Sequence, residues 1–443
     1  AAPAMGAHVS SLARCARGRS RASFVPPATP PAARSPPRLS RSPRQPTAIS
    51  FSVSPRRRPA LALLLLRTTS NTRRVAGVAA AGGAFLVNKL RGVSSKRASA
   101  SAPRSRRSRR ALALTTASST VVVGDIGGTN ARLQVWNIVD GAQTLKYENI
   151  YGTKGHETFE SVISDLYRDA GVDPSDVHSA CFAVAGPVAN DACAMTNVSW
   201  VIDGAKLEKE FKIDSVKVIN DFAAVGYGVL DLKPEEMVTL NPGSPDARGP
   251  IAVLGPGTGL GEAMLFWNDE AEEHDVIPSE GSHADFAPRG ETQSALLAYC
   301  ERTLGECEIE QVCCGSGIVR IYDFLRERRG AADKPELDPA GVTDAALDGS
   351  CPLCVEAVDI FLAILGAEAG NLALKCLASG GVYVAGGIPP RLMKLIGDGG
   401  TLLDAYVRKS CRYTNVRSGF PLHIILNDKI GLAGAKVFAL RQL

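Results

Sequence analysis

The feature that most constrains this chain is a glycine-rich turn between two apolar segments, at residues 121–135 (VVVGDIGGTNARLQV). The β-branched residues before the turn and the apolar alternation after it predict a strand, a tight turn and a second strand. Adjacent glycines let backbone N–H groups approach a ligand closely, and a group of such donors suits phosphate oxygens. Asp125 would end the first strand beside this turn, where it could hold a hydrated Mg²⁺. An ordinary β-hairpin explains the same residues, because neither the Walker A nor the GxGxxG spacing is present.

Two later segments repeat this pattern. Residues 251–254 predict a strand, and the seven residues that follow it, GPGTGLG, hold four glycines and Thr258. Two such turns, about 130 residues apart, could hold a nucleoside triphosphate between them. A glycine pair, Gly386-Gly387, follows a further predicted strand at 381–385 and would let a flat ring or a ribose lie close to the backbone. A simple strand-to-helix turn is the alternative for that pair.

Carboxylates and one histidine supply the candidate chemistry. Asn220 and Asp221 follow a predicted apolar strand, and α/β enzymes place reacting groups at the carboxyl edge of a sheet. The same two residues could instead begin a helix, since Asn and Asp are good N-caps. Glu280 and His283 lie close together with small neighbours, and Glu310 lies among apolar residues. These side chains suit hydroxyl groups, whereas the HExxH spacing of a zinc site is missing.

Strands and helices alternate along the rest of the chain, which predicts an α/β fold. Helices are predicted at residues 158–170, 205–211, 293–304, 354–377 and 431–443, and further strands at 146–151, 179–185, 215–219, 263–267 and 422–426. The helix at 354–377 has an amphipathic pattern, and residues 331–344 are predicted to be a polar connector.

Charge divides the chain into two parts. Residues 1–124 hold 21 arginines, 2 lysines and no acidic residue, whereas the rest holds 27 basic residues against 45 acidic ones, a net charge of −18. An acidic body without a basic stripe argues against a nucleic-acid partner. The Arg-, Ser-, Pro- and Ala-rich segment 1–119 is typical of an organelle-targeting presequence that does not fold by itself. It predicts import into a plastid, with a mitochondrion or the cytosol as alternatives. Its apolar segments, 61–66 and 75–87, are too short to span a bilayer.

The eleven cysteines show no metal-ligand spacing. The single CxxC, Cys351-Pro-Leu-Cys354, fits either a redox-responsive thiol pair or two reduced thiols in a helical neighbourhood.

Six segments, taken in order, resemble the signature segments of bacterial-type glucokinases, which belong to the hexokinase–actin–heat-shock ATPase superfamily. They are GDIGGTNARL, INDFAAV, GPGTGLG, SEGSHADFAPR, EQVCCGSG and VAGGIPPR, and the resemblance runs from about residue 121 to residue 440. The clustered Cys–Gly–Cys zinc motif of related repressors and kinases is absent, which favours the non-zinc branch. Two positions depart from the usual motifs: Ser282 stands where glycine is common, and Pro256 follows Gly255 in place of a smaller residue.

The resemblance implies a role for each matching residue. Asp221 would be the general base that faces the attacking hydroxyl, and Asp125 would lie near Mg²⁺. The sugar-binding residues would be Asn220, Asp221, Glu280, His283 and Glu310. The ATP-binding residues would be Gly124, Asp125, Ile126, Gly127, Gly128, Thr129, Asn130, Gly257, Thr258, Gly259, Gly386 and Gly387.

The resemblance also implies a two-lobed α/β fold of the ribonuclease-H-like and actin-like ATPase type, with a small and a large domain around a cleft. The small lobe would take residues 120–231 and 424–443, and the large lobe residues 232–423. The implied activity is ATP- and Mg²⁺-dependent phosphorylation of glucose to glucose 6-phosphate, and the implied assembly is a homodimer. The alternatives are a kinase for fructose, mannose or an amino sugar, and a non-catalytic sugar-sensing protein of the same fold.

Overall fold

The computed structural model describes residues 118–195, 197–409 and 411–443, and all of them belong to one compact unit. The predicted presequence, residues 1–119, lies outside the described residues apart from its last two positions. The targeting segment therefore stays a prediction.

The first sheet is built around the first glycine-rich turn. Its strands are β1 (Ser119–Ile126), β2 (Asn130–Val139), β3 (Ala142–Gly152), β4 (Val177–Val184) and β7 (Ser215–Asn220), and a separate hairpin is formed by β5 (Ala192–Ala194) and β6 (Val201–Asp203). The spatial order is β3-β2-β1-β4-β7, with β1, β4 and β7 parallel and β2 antiparallel to both neighbours. The carboxyl ends of the parallel strands meet at one edge, so Asp125 and Asp221 lie on the same side of the sheet.

The second sheet repeats this arrangement. Its strands are β8 (Met237–Asn241), β9 (Ile251–Pro256), β10 (Leu260–Asn268), β11 (Glu273–Ser279), β12 (Gly381–Val384) and β13 (Leu422–Ile425). The spatial order is β11-β10-β9-β12-β13-β8, and β12 is parallel to both β9 and β13. Apart from the edge strand β8, the strands have the same spatial order as those of the first sheet. In both sheets the third strand along the chain lies at one edge, followed by the second, the first, the fourth and the fifth. Each sheet therefore carries a glycine-rich turn between its first and second strands.

Twelve helices surround the sheets in the described part of the chain. They are α1 (Phe159–Ala170), α2 (Gly204–Phe211), α3 (Asp221–Val229), α4 (Gly290–Leu304), α5 (Gly315–Arg328), α6 (Pro339–Leu347), α7 (Pro352–Cys376), α8 (Ile388–Arg391), α9 (Met393–Ile396), α10 (Gly400–Val407), α11 (Cys411–Ser418) and α12 (Ile430–Leu440).

Helices α3 and α12 form a layer that packs against both sheets. One apolar cluster joins β1 to Ala224 of α3 and Leu432 of α12. A second cluster joins Ala223 on the same helix α3 to Ile251 of β9. Because Asp221 is the first residue of α3, the candidate base lies where the two sheets come together.

The α/β class and most predicted elements are confirmed. The predicted helix at 158–170 is α1, where Thr158 Oγ1 accepts a hydrogen bond from Ser161 N–H (3.3 Å) and Gly171 ends the helix at φ +59°. The lobe boundaries predicted at 231/232 and 423/424 stay predictions.

Two local predictions were wrong. The supposed connector at 331–344 contains the start of α6, whose N-cap Asp338 accepts a hydrogen bond from Gly341 N–H (2.7 Å). The helix at 354–377 is present as α7, but it is buried around most of its circumference. Helices α5, α6 and α10 and strand β9 pack around it, and only a few of its residues, among them Asp359 and Lys375, remain exposed.

No single helix among the described residues is long and apolar enough to cross a membrane. Helices α6 and α7 reach that length and composition only together, and they bend by 103° at their break. Cys351 and Cys354 lie at the start of α7 as free thiols, and Cys354 is fully buried.

Candidate active site

The first glycine-rich turn presents free backbone amides at the carboxyl edge of the first sheet. Gly127 N–H closes the turn on the Asn130 carbonyl (2.9 Å), and Thr153 Oγ1 donates to the carbonyl of Gly128 (2.9 Å). The N–H groups of Gly128 and Thr129 have no acceptor among the described residues. A ring of unpaired amides on a fixed turn is suited to phosphate oxygens.

The second turn, at Gly257, Thr258 and Gly259, has the same design. Gly257 N–H closes it on the Gly259 carbonyl (2.7 Å), and the amides of Thr258 and Gly259 have no acceptor in the described structure. Gly315, the first residue of α5, donates its N–H to the Gly257 carbonyl (2.9 Å), so the amino end of α5 abuts this turn. The helix end adds a partial positive charge beside the free amides.

Several glycines of the motifs serve packing. A Cβ at Gly261 would lie 2.1 Å from the Phe222 ring, and one at Gly255 would lie 2.9 Å from the same ring. A Cβ at Gly124 would lie 2.5 Å from Leu133 in the core. Of the four glycines in GPGTGLG, only Gly257 and Gly259 therefore belong to the turn itself, so fewer glycines than expected are available to bind phosphate.

The other predicted ATP-binding residues differ in how closely they are packed. Ile126 is fully buried in the core of the first sheet, so only its backbone faces the turn. Gly386 adopts φ +87°, and a Cβ there would lie 2.3 Å from the Pro256 carbonyl oxygen, whereas Gly387 faces open space. This glycine pair therefore follows β12 at the same edge of the second sheet as the Gly257 turn. The assignment of these residues to ATP stays a prediction.

Asp221 occupies the first helical position of α3 and is partly buried. Its Oδ1 accepts a hydrogen bond from Phe222 N–H (2.8 Å). Burial raises the pKa of Asp221 to about 6, and the negative charges of Asp125 and Glu280 add to the rise. Asp125 and Glu280, which come from two other elements, thus lie close enough for their charges to act on Asp221.

Asn220 is the N-cap of α3, as the alternative interpretation of the sequence proposed. Its Oδ1 accepts hydrogen bonds from the N–H groups of Phe222 (2.9 Å) and Ala223 (3.1 Å). Its Nδ2 donates to the Gly186 carbonyl (3.4 Å) and retains a second N–H. Capping and a contact with a ligand are therefore compatible at this residue.

Glu280 and His283 follow β11 of the second sheet, and Glu310 lies close to β10 of the same sheet. His283 Nε2 lies 4.0 Å from a Glu280 carboxylate oxygen, and both side chains are largely exposed. Glu310 Oε2 accepts a hydrogen bond from Leu260 N–H (2.7 Å) and would be 2.5 Å from a Cβ at Gly259, so Gly259 is needed for its approach. Ser282, which departs from the usual motif, is buried. Glu310 thus joins the candidate sugar site to the second turn.

Glu308 is a site residue that the sequence reasoning missed. Its Oε2 lies 2.8 Å from His283 Nδ1, and this hydrogen bond raises the pKa of His283. A signal was present in the sequence, because Glu308 lies two residues before the predicted site residue Glu310 in a cluster of acidic residues.

Asp125 carries the predicted metal site. Burial raises its pKa, and the neighbouring Arg132 opposes the rise. Among the described residues, no group of three or more His, Cys, Asp or Glu side chains is arranged to hold a metal ion. Mg²⁺ in phosphoryl-transfer sites uses one or two carboxylates, waters and substrate phosphates, so a single carboxylate beside the first turn fits that ion and no all-protein cage is required.

Two cavities flank these residues. One of about 420 Å³ is lined by Ser316, Arg320 and Pro339 at the start of α5 and α6. The other, of about 330 Å³, lies behind the Glu280–His283 segment and is lined by Asp285 and Glu368. Neither is lined by Asp125 or Asp221, so the interacting carboxylates and the free amides, and not cavity volume, define the candidate site.

The comparisons with known proteins agree on one family. A family model described as "Glucokinase" matches residues 122–442, which include every candidate site residue. The glucokinase of Nostoc sp. is 38% identical over 343 residues, covering 72% of this chain and 99% of that protein. The glucokinase of Cronobacter sakazakii is 35% identical over 314 residues, covering 71% of this chain and 95% of that protein.

Solved structures agree with the fold. A glucokinase from an Antarctic psychrotroph has a TM-score of 0.66 at 28% identity, covering 73% of this chain and 99% of that chain. A glucokinase from Balamuthia mandrillaris in complex with glucose has a TM-score of 0.62 at 21% identity, covering 76% of this chain and 99% of that chain. The second likeness concerns the fold alone.

Proposed function

This chain belongs to the glucokinase family, and from that premise we propose that it transfers the γ-phosphoryl group of ATP to the 6-hydroxyl of glucose, with Asp221 as the general base. The observation that carries the proposal is the environment of Asp221. The side chain follows a buried parallel strand, is partly buried, and lies within the influence of Asp125 on one side and Glu280 on the other. Asp125 lies beside the first glycine-rich turn and Glu280 belongs to the proposed sugar site, so their influence on Asp221 supports a role for this residue between ATP and glucose.

The raised pKa of Asp221 suits a base. With a pKa of about 6, the carboxylate is mostly ionised at neutral pH, yet it holds a proton more readily than an exposed aspartate. As the hydroxyl oxygen attacks the γ-phosphorus, the bond from that phosphorus to the β–γ bridging oxygen breaks, ADP leaves, and the hydroxyl proton passes to Asp221. Phosphoryl transfer needs mainly correct positioning of the reactants and neutralisation of charge. One carboxylate that accepts the proton is therefore sufficient, and no covalent intermediate with the protein is required.

The two turns would hold the triphosphate. The free amides of Gly128 and Thr129 would bind its oxygens from the first sheet, and those of Thr258 and Gly259 from the second. Donors fixed in this way need no reorganisation as negative charge shifts during transfer. Asp125 would hold Mg²⁺, which supplies neutralisation of the phosphate charge.

Glucose would lie between Asp221 and the acids of the second sheet. Glu280 and Glu310 would accept hydrogen bonds from its other hydroxyls, and His283 would accept from or donate to one of them. The remaining N–H of Asn220 would donate to one more hydroxyl. A hexose that lacks a matching hydroxyl leaves a carboxylate unpaired, and sites of that kind can discriminate by about 10⁴-fold.

The test is Asp221→Asn, with Asp214→Asn as the matched control. Asp214 is exposed and precedes the same strand β7 at its other end. We expect the Asp221 variant to lose at least about 10²-fold in kcat while glucose binding weakens only modestly, and the control to match the wild type. Retained turnover in Asp221→Asn would remove this residue from the role of base.

We propose that the chain is imported into a plastid, on the basis of the acid-free composition of residues 1–124. Residues 1–119 fused to a fluorescent protein would accumulate in the plastid. Fluorescence in mitochondria or in the cytosol would contradict the proposal.

We also propose that the protein is a homodimer, as the family resemblance implies. Sedimentation equilibrium of the protein without residues 1–119 measures this directly. A single species with the mass of one chain would contradict it.

A further inference from the structure

Glu262 is a buried acid that has no role in the site described so far. It lies in β10, is 1% exposed, and faces the apolar cluster on the α7 side of the sheet together with its strand neighbours Leu260 and Met264. Among the residues that the structure describes, neither carboxylate oxygen has a hydrogen-bond partner. A buried carboxylate without a partner is costly and calls for an explanation.

The carboxyl group lies directly beneath the segment that carries Glu280 and His283. A Cβ at Gly281 would be 2.3 Å from Glu262 Oε2, so only glycine lets the segment rest on this side chain. Ser279, the cross-strand neighbour of Glu262, accepts a hydrogen bond from Gly281 N–H through its Oγ (3.0 Å). The conformation of the sugar-binding segment is thus built on Glu262 and Ser279.

The other neighbours of Glu262 disfavour its charged form. Glu368 of α7 is a second buried carboxylate, which accepts a hydrogen bond from Asn371 (3.0 Å) and lies 3.5 Å from Lys375. Cys313, fully buried, faces the same pair of acids. Burial raises the pKa of Glu262 to about 7, the charge of Glu368 adds to the rise, and Lys375 opposes it. Glu262 is therefore uncharged in acid solution and gains a charge near neutral pH.

We propose that Glu262 is a positioning residue for the sugar site, which supports the Glu280–His283 segment while its carboxyl group is uncharged and displaces that segment when it ionises. A new charge beside Glu368 must attract water or hydrogen-bond donors, and the segment above it is the adjoining structure that carries the sugar-binding side chains. The affinity for glucose then falls as the pH rises through the pKa of Glu262. This inference rests on the proposed function, because it concerns the affinity of the same site.

The test compares the glucose KM of the wild type, Glu262→Gln and Glu270→Gln from about pH 6 to about pH 8.5. The Gln side chain keeps the shape of Glu262 without its charge, and Glu270 is an exposed acid of the same β10–β11 hairpin. We expect the KM of the wild type and of Glu270→Gln to rise more steeply with pH than that of Glu262→Gln, whose remaining pH dependence comes from His283. A pKa difference of one unit between sugar-bound and sugar-free protein changes KM about tenfold. If Glu262→Gln retains the wild-type rise, the inference is overturned.

A second variant covers the case in which Glu262→Gln does not fold. Glu368→Gln removes the neighbouring charge, so the midpoint of the KM rise should move to lower pH, and an unmoved midpoint overturns the inference.

The two proposals fail in different ways. If the wild type does not phosphorylate glucose, or if Asp221→Asn retains its turnover, the proposed function fails. If glucose is phosphorylated but the KM profiles of wild type and Glu262→Gln coincide, only the role of Glu262 fails.

Discussion

Glu308 shows how a single side chain decides what its neighbour can do. Its bond to Nδ1 of His283 (2.8 Å) orients the ring and leaves Nε2 directed to the side of Glu280. With Nδ1 as the donor to a carboxylate, Nε2 of the neutral ring is an acceptor, and that of the charged ring is a donor. Because the carboxylate raises the pKa of His283, it favours the donor form. A donor at Nε2 can bind a sugar hydroxyl or its partner Glu280.

Replacing Glu308 by alanine should therefore weaken sugar binding with little effect on the chemical step. We expect Glu308→Ala to raise the glucose KM about tenfold, the loss of one hydrogen bond to a charged group, with kcat within about twofold of the wild type. Glu306→Ala removes an exposed carboxylate two residues earlier and serves as the control. Steady-state kinetics at neutral pH provide the measurement. An equal fall in kcat and in kcat/KM would instead indicate a contact made only in the transition state.

Among the helices, α3 and α12 make an unusually close crossing. A Cβ at Gly434 of α12 would lie 1.6 Å from the carbonyl oxygen of Ala224, and a Cβ at Gly228 of α3 would lie 2.3 Å from that of Ile430. The backbone of the partner helix is in contact at both points, and at Gly228 the Ile430 side chain is in contact as well. Since Asp221 begins α3, this crossing also holds the candidate base in place.

Gly434→Ala should accordingly push the two helices apart. We expect it to lower the free energy of unfolding by about 3 kcal/mol, because a methyl group meets a rigid backbone carbonyl. Gly431→Ala, in the first turn of the same helix, meets no atom within 4 Å and should be neutral or stabilise by about 0.5–1 kcal/mol through helix propensity. Urea denaturation of both variants measures the difference. Equal midpoints would show that the crossing is loose.

The elements that could be predicted from sequence are those with local causes. Thr158 and Gly171 bound α1 because a cap and a left-handed turn depend only on near neighbours. The start of α6 had such a cause too, in Asp338 followed by Pro339, and was overlooked. The burial of α7 on most sides had no local cause, because it follows from the helices that pack around it.

The same distinction applies to the candidate site. The turns and acids were found because their residue types are unusual together, and both turns lie at the carboxyl edges of the parallel strands β1 and β9. The reason for each glycine was not found, since Gly255 and Gly261 make room for Phe222, which lies more than 30 residues earlier in the chain. Glu262 was invisible for a similar reason: its importance depends on Gly281 and Glu368, which only the fold brings near.

At the scale of the whole molecule, the reacting groups are divided between two sheets of like topology. Asp125 and Asp221 belong to the first sheet and the helix that follows it, whereas Glu280 and His283 follow β11 of the second sheet and Glu310 is hydrogen-bonded to Leu260 of β10. The side chains of Glu280 and His283 are 79% and 51% exposed. A hydrogen bond from a sugar hydroxyl to an acceptor this exposed contributes little binding free energy, because water competes for the same hydrogen bonds. Specific sugar binding therefore requires the two sheets to approach and exclude water.

Glucose should thus close the molecule around itself, and amide hydrogen exchange can detect the change. We expect glucose to slow exchange in residues 280–285 and 308–310, with L-glucose, the mirror-image sugar, as the control that leaves exchange unaltered. Closure also explains how ATP is spared, because water is the competing nucleophile and the phosphates meet Asp221 in a dry site only when sugar fills the gap. ATP hydrolysis without sugar should be at least about 10³-fold slower than transfer to glucose. Unchanged exchange at saturating glucose would mean that the exposed acids bind sugar as they stand, and the selectivity against water would then need a different physical cause.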